Sequence, residues 1–187
     1  MKSYEIRVCG PQLAEPRFFL EWFEETLKLD LKLVGEEADT DCALQIIIPE
    51  YRGCRLIVSA MRVPYLQVRH SMETFMQNAD GFIYMITVRR TDTNKQYSDA
   101  FKEIYYKYGN DVPVITLFND MWCGRRASEQ NAMISFDEAK AFALPKSVLL
   151  ETRLGQMRFG DTRGEDAWTA LDLLLDKMEN RKTNERA

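Results

Sequence analysis

The apolar positions of the chain fall into short continuous runs that alternate with longer segments of helical spacing. The two clearest runs cover residues 79–88 and 112–118, and a charged amphipathic segment lies between them. A continuous apolar run bounded by polar residues is typical of a strand that is buried on both faces. Two such strands joined by a helix form a βαβ unit, which predicts a largely parallel sheet covered by helices.

The remaining β-like segments extend this sheet. Residues 4–10 alternate apolar and polar side chains and stop at Gly10, which predicts a strand followed by a loop. Residues 42–48 and 55–59 flank a turn-like segment and are predicted to form one antiparallel hairpin at the end of the sheet. A last short strand is predicted over 147–150. The predicted fold class is therefore α/β, with a mostly parallel sheet, one antiparallel hairpin and helices on both faces.

Four segments have the apolar spacing of amphipathic helices, and a fifth, short and rich in alanine, is predicted from the capping box at its start. Pro16 is suited to the first position of one of these helices. Ser135 and Glu138 form the Ser-x-x-Glu pattern of a capping box at the start of another helix, and Asp92 or Thr93 can cap a third. The predicted core-facing side chains are Phe19, Trp22, Phe23, Thr26 and Leu27; Val68, Met72, Phe75 and Met76; Tyr97, Phe101, Ile104, Tyr105 and Tyr108; and Ala167, Trp168, Leu171, Leu174, Leu175 and Met178.

Length and composition are those of one soluble globular domain. The chain has 187 residues, so we assign residues 1–180 to a single domain and residues 181–187 to a polar tail. No apolar run reaches the ~18 residues of a membrane span, and the N-terminus lacks the apolar core of a signal peptide. The C-terminus carries no prenylation cysteine, so no direct membrane anchor is expected. The four cysteines show no CxxC spacing, and three lie in or beside predicted strands, so we predict reduced, buried thiols in a cytoplasmic protein.

The net charge and the histidine count argue against two classes of ligand, nucleic acids and metal ions. A net charge of -4 argues against a general nucleic-acid binder. The single histidine, His70, excludes a His-rich metal site and lies off the apolar stripe of its predicted helix. We therefore expect neither nucleic acid nor a metal site.

The order of the predicted elements resembles the Ras superfamily of small GTPases from Tyr4 to about Met178. Residues 4–10 resemble the first strand of that family and its glycine, and residues 79–82 resemble the entry to its fourth strand. Asn119 falls where the base-reading Asn-Lys-x-Asp motif begins, and residues 165–168 resemble the opening of the final helix. The resemblance implies a three-layer, P-loop-NTPase-like fold.

The segment that corresponds to the phosphate-binding loop of that family has lost its functional side chains. A P-loop uses glycines so that backbone N–H groups surround the phosphates, a lysine that neutralises their charge, and a hydroxyl that holds Mg²⁺. Gly10 keeps the first glycine, but Glu15, Pro16 and Arg17 stand where the second glycine, the lysine and the hydroxyl residue belong. Glu15 would face phosphates with a carboxylate, and Pro16 has no N–H to donate.

The other nucleotide motifs are also lost. Trp122 replaces the aspartate that would bind guanine, because Asn119-Asp120-Met121-Trp122 occupies the place of Asn-Lys-x-Asp. Residues 61–65 replace the Asp-x-x-Gly-Gln segment that serves hydrolysis, and residues 153–155 replace the Ser-Ala-Lys loop. We therefore predict a degenerate small-GTPase-like protein without catalytic residues, metal or cofactor. The alternative is a divergent GTP- or nucleotide-binding protein with little or no hydrolysis. A third interpretation is a different flavodoxin-like binding protein that shares the topology.

One candidate surface for a partner is a rim of arginines. Ligands of open parallel sheets lie beyond the carboxyl ends of the strands, and the loops at that edge are rich in arginine. Arginine binds carboxylate and phosphate groups through paired hydrogen bonds, which suggests an acidic or phosphorylated protein partner. The other interpretation is solvated loop charge, partly paired with neighbouring acidic residues. The arginines of this rim are Arg17, Arg62, Arg89, Arg90, Arg125, Arg126 and Arg153.

The second candidate surface corresponds to the region through which Ras-like proteins meet effectors. It includes residues 35–41, the edge of the predicted hairpin, and Tyr65, Leu66 and Arg69. Trp122 is a further candidate because an aromatic side chain in a loop can anchor an interface, although it can equally pack against a neighbouring loop. The resulting hypothesis is a protein-interaction module that acts as an adaptor in signalling or trafficking, or as a subunit of a larger assembly.

Overall fold

The structure is a computed structural model that describes residues 1–10, 14–34, 43–61, 75–88, 92–108, 111–120, 133–144, 147–154 and 165–184. The strands are β1 (Lys2–Cys9), β2 (Lys32–Val34), β3 (Ala43–Tyr51), β4 (Cys54–Met61), β5 (Gly81–Thr87), β6 (Val114–Asn119) and β7 (Val148–Thr152). The helices are α1 (Ala14–Leu27), α2 (Asp92–Tyr108), α3 (Phe136–Ala139) and α4 (Glu165–Asn184).

The strands of the described residues form one seven-stranded sheet in the order β2-β3-β4-β1-β5-β6-β7. β1 lies at its centre and pairs in parallel with both β4 and β5, and the parallel pairing continues to β6 and β7. β3 runs antiparallel to β4, which confirms the predicted hairpin. β2 adds a second antiparallel pairing at the edge, beside β3, which the sequence analysis did not predict. This strand has three residues, all exposed, so its sequence carries no alternation long enough to be recognised.

The hairpin turn is tighter than its sequence suggested. β3 continues to Tyr51 and β4 starts at Cys54, so that only Arg52 and Gly53 connect them. Both have positive φ angles, 52° and 75°, as a two-residue turn of the I′ type requires. Pro49 lies within β3, where the register shifts between Ile48 and Tyr51. Proline has no N–H to donate to a neighbouring strand, and it is tolerated here because the regular hydrogen-bond ladder is already broken at this shift.

Successive side chains of the central strands enter two separate cores, which confirms that helices cover both faces. Ile83 and Met85 of β5 belong to the core formed with α1 and α4, which includes Phe23 and Leu171. The neighbouring positions of β5 belong to the core formed with α2. The second core includes Phe82, Tyr84, Ile86, Tyr97, Phe101 and Ile104. The period of two along a strand therefore divides one apolar run between two helical layers.

Most of the described side chains that were predicted to face the core from the helices are buried or half-buried, with a few exceptions. α1 begins at Ala14, so Pro16 is its third residue and not its first. Phe19 and Phe23 are buried as predicted, but Leu20 is buried as well, whereas Thr26 is exposed because it lies at the margin of the apolar stripe. In α2, Tyr97, Phe101 and Ile104 are buried, and in α4 every predicted position is buried or half-buried. Met76 is buried in the second core and Phe75 packs beside it, while Val68, His70 and Met72 lie outside the described residues.

The structure also tests the predictions for the start of α3, the end of α4 and the cysteines. The capping box at α3 is present, with the backbone N–H of Glu138 donating to Ser135 Oγ and the carboxylate of Glu138 accepting from the backbone N–H of Ser135. α4 continues to Asn184, so the first part of the segment predicted as a polar tail, 181–187, is helical. Cys9 and Cys54 are buried free thiols, as predicted; Cys42 and Cys123 lie outside the described residues. Among the described residues, no helix is both long and apolar enough to cross a membrane.

Candidate functional site

The parallel strands β1, β5, β6 and β7 end at the same edge of the sheet, where open α/β sheets bind their ligands. This edge, which we call the carboxyl edge, is formed in the described residues by Gly10, Val88, Asn119-Asp120 and Arg153-Leu154. The start of α1 follows Gly10 in the chain. The geometry of these residues determines what the edge can bind.

Gly10 is buried at the end of β1 and has a packing role. A Cβ atom at this position would lie 3.1 Å from the carbonyl oxygen of Met85 and 3.3 Å from Cγ of Pro16. Both neighbours are rigid, one a backbone atom of β5 and the other part of a ring. The absence of a side chain at Gly10 therefore permits close contact between β1, β5 and α1, without reference to a ligand.

The N-terminal turn of α1 is poorly suited to a phosphate. The first N–H groups of a helix have no partner within the helix and can bind an anion. Pro16 is buried in this turn and has no N–H. Arg17 is exposed, and its guanidinium forms an ion pair with the carboxylate of Glu21 one turn later. The side chain of Glu15 lies outside the described part of the structure.

Asn119, which we predicted from the sequence as the start of a base-reading motif, is fully buried and hydrogen-bonded to the chain itself. Its Nδ2 donates to the carbonyl oxygen of Leu154 at 2.9 Å, and its Oδ1 accepts the backbone N–H of Leu154 at 2.8 Å. A side-chain amide that makes this pair of bonds reproduces the pairing of two backbone amides. Asn119 thus holds the chain that leaves β7 against the end of β6, and we call this pair of bonds the amide clamp.

An ion pair reinforces the amide clamp. The Nη2 of Arg153 donates to Oδ2 of Asp120 at 2.9 Å, and the backbone N–H of Asp120 donates to the carbonyl oxygen of Thr152 at 2.8 Å. The side chains of Arg153 and Asp120 are 35% and 18% exposed, so the pair is partly shielded from water. The segments after β6 and β7 are therefore joined by side chains and backbone alike.

Backbone groups around the end of β5 are also bonded within the protein. The N–H of Val88 donates to the carbonyl oxygen of Asn119 at 3.1 Å, and the N–H of Ile134 donates to the carbonyl oxygen of Val88 at 2.8 Å. Asn94, in the first turn of α2, donates from Nδ2 to the carbonyl oxygen of Thr87 at 2.9 Å. The polar groups of this part of the edge serve to connect neighbouring segments.

Below the carboxyl edge, aromatic rings and one thiol fill the second core. The ring of Tyr84 stacks on Phe101 with 4.4 Å between centroids and lies parallel to Tyr97 at 6.2 Å. Burial raises the pKa of the Cys9 thiol to about 12, and burial raises the pKa of Tyr97 well above its usual value. Because the thiolate is the reactive form of cysteine, Cys9 is inert at neutral pH.

The structure brings together only some of the residues that the sequence analysis selected. Gly10, Pro16, Asn119 and Asp120 lie at the carboxyl edge, with Arg17 at the start of α1. Two arginines of the predicted rim are described, Arg17 and Arg153, and each is paired with a carboxylate, as the loop-charge interpretation expects. The edge of the predicted hairpin is described, and β2 pairs with β3 along it. The remaining candidates lie outside the described residues. They are residues 35–41, Arg62, Tyr65, Leu66, Arg69, Arg89, Arg90, Trp122, Arg125 and Arg126.

Sequence reasoning missed the partners of the selected residues. Leu154 binds Asn119 through its backbone, and no side-chain motif can reveal such a contact. Asn94 binds the carbonyl oxygen of Thr87, but the pattern of a helix assigns a polar residue such as Asn94 to the surface. The signal for Asn94 is its place in the first turn of a helix directly after a strand. There an amide can bond to the last carbonyl group of that strand.

No protein-family model matches the chain, and no curated protein matches it. The described residues contain no group of three or more His, Cys, Asp or Glu side chains that could hold a metal ion.

Proposed function

We propose that this protein is a catalytically inactive, small-GTPase-like protein of the cytoplasm that acts as a protein-interaction module or as a subunit of a larger assembly. The amide clamp carries the proposal. The one surviving residue of the base-reading motif, Asn119, is fully buried and bonds the backbone of Leu154. A guanine base would have to compete with bonds that the protein already makes, and breaking them would leave buried backbone groups unpaired.

Two further observations support the proposal. After β1 and α1 the chain forms the short strand β2 and the hairpin β3–β4, and from β5 onward strands and helices alternate. Apart from β2, and with residues 62–74 outside the described part of the chain, this is compatible with the element order on which the predicted resemblance to small GTPases rests. The start of α1 does not fit a nucleotide phosphate with Mg²⁺. Pro16 has no N–H to donate to a phosphate. Arg17 occupies the place of the hydroxyl residue, but a guanidinium cannot ligate Mg²⁺, and this one forms an ion pair with Glu21.

The first test is the nucleotide content of the natively purified protein, together with a thermal-shift titration of GTP, GDP and ATP in the presence of Mg²⁺. We expect no bound nucleotide and no saturable shift in the melting temperature. Stoichiometric nucleotide, or a shift that saturates, would contradict the proposal and favour the divergent nucleotide-binding protein. A ligand that bound with its concentration at 100 times Kd would add about 2.7 kcal/mol of stability, which this measurement resolves easily.

The partner we propose is a protein with an acidic or phosphorylated segment that binds the arginine rim. The test measures how much acidic peptide and phosphorylated peptide each of three proteins captures. These are the native protein, a variant with Arg89→Glu and Arg90→Glu, and a second variant with Arg125→Glu and Arg126→Glu. The matched control is Lys2→Glu with Arg55→Glu, which makes the same change in charge at the opposite edge of the sheet, where β1 and β4 begin. We expect the rim variants to lose capture at least tenfold and the control to retain it. Equal capture by all variants would show that the rim is ordinary loop charge.

A further inference from the structure

We draw no further inference here: the strongest candidate, the exposed apolar patch of Leu33 and Val34 on the short edge strand β2, carries nothing because the part of the chain that the structure describes does not show what covers it.

Discussion

At the scale of single residues, two positions of the carboxyl edge that were predicted as remnants of nucleotide-binding motifs make contacts that stabilise the fold. Asn119 is the clearest case, because its amide replaces backbone pairing between the ends of β6 and β7. Gly10 is another, because the lack of a side chain lets Met85 and Pro16 approach closely. Both residues have a structural reason to be present in the absence of a ligand.

The amide clamp makes Asn119 a strong determinant of stability. Asn119→Ala removes both bonds and leaves the N–H and C=O of Leu154 buried without them, and each such group costs about 1–3 kcal/mol. We therefore expect the free energy of unfolding in urea to fall by about 2–6 kcal/mol. The matched variant Asp120→Asn keeps the side-chain volume and weakens the partly exposed ion pair with Arg153, so its loss should stay below about 1 kcal/mol. Similar losses in the two variants would show that the amide clamp has no special weight.

Because the Cys9 thiol is buried, the free energy of unfolding should fall as the pH becomes alkaline. Its pKa rises from 9.0 to about 12 on burial, so the unfolded chain releases this proton at a lower pH than the folded protein does. The contribution of Cys9 is complete below pH 9 and is lost as the pH rises toward 12. Urea unfolding at several pH values between 8.5 and 10 should show stability falling, at most by about 1.4 kcal/mol per pH unit for one group. Cys9→Ala should show a shallower fall over the same range, and an equal slope in both proteins would refute the assignment.

At the scale of elements, the tip of the β3–β4 hairpin is fastened to α4. The hydroxyl of Tyr51 donates to Oδ1 of Asp172 at 2.9 Å, and the ring of Tyr51 packs on Trp168 with 4.9 Å between centroids. Arg52 donates to the carboxylates of Asp172 and Asp176 at 3.2 and 2.6 Å. These contacts join residues more than a hundred positions apart and hold the hairpin beside the last helix.

The two residues of the hairpin tip should differ in their importance. Tyr51→Phe keeps the ring but removes a bond to a carboxylate that is about half exposed, so we expect a loss of about 1 kcal/mol in the free energy of unfolding. Arg52→Asn removes ion pairs whose side chains are 40–52% exposed, which are worth about 0–1 kcal/mol. Asparagine also adopts the positive φ of 52° more readily than arginine, so we expect a net change below about 0.5 kcal/mol. A larger loss from Arg52→Asn than from Tyr51→Phe in urea unfolding would mean that the ion pairs dominate.

At the scale of the whole molecule, two cores share one sheet. Phe23 of α1 and Phe101 of α2 lie in different cores, and both cores contact β5 through its alternating side chains. Loss of either helical layer would expose one face of every central strand. The two layers therefore depend on each other through the sheet.

This arrangement predicts a single unfolding transition. We expect tryptophan fluorescence and far-ultraviolet circular dichroism to give the same midpoint in urea, as they do for a cooperative domain. Phe23→Ala and Phe101→Ala should each lower the free energy of unfolding by about 3–5 kcal/mol and move both signals together. Separate midpoints for the two signals, in either variant, would show that the cores unfold independently.

The larger helices and strands, and the burial of both faces of the sheet, could be predicted from the sequence. Continuous apolar runs such as 79–88 are long enough to identify buried strands, and helical spacing placed Phe101 and Leu171 in the core, because burial repeats with the geometry of each element. The capping box at Ser135 was also predictable, since its bonds join residues three positions apart. Local periodicity and local hydrogen bonds can be recognised without knowing what lies across the fold.

Features that depend on contacts between distant parts of the chain could not be predicted from the sequence. The edge strand β2 exists because β3 lies beside it, the amide clamp joins Asn119 to a backbone 35 positions away, and Arg52 reaches a helix 120 positions away. The sequence predicted Asn119 as a remnant of a base-reading motif, but it could not show which group the amide of Asn119 contacts. That partner is set by the convergence of parallel strands at one edge, and convergence of this kind is a property of the assembled sheet.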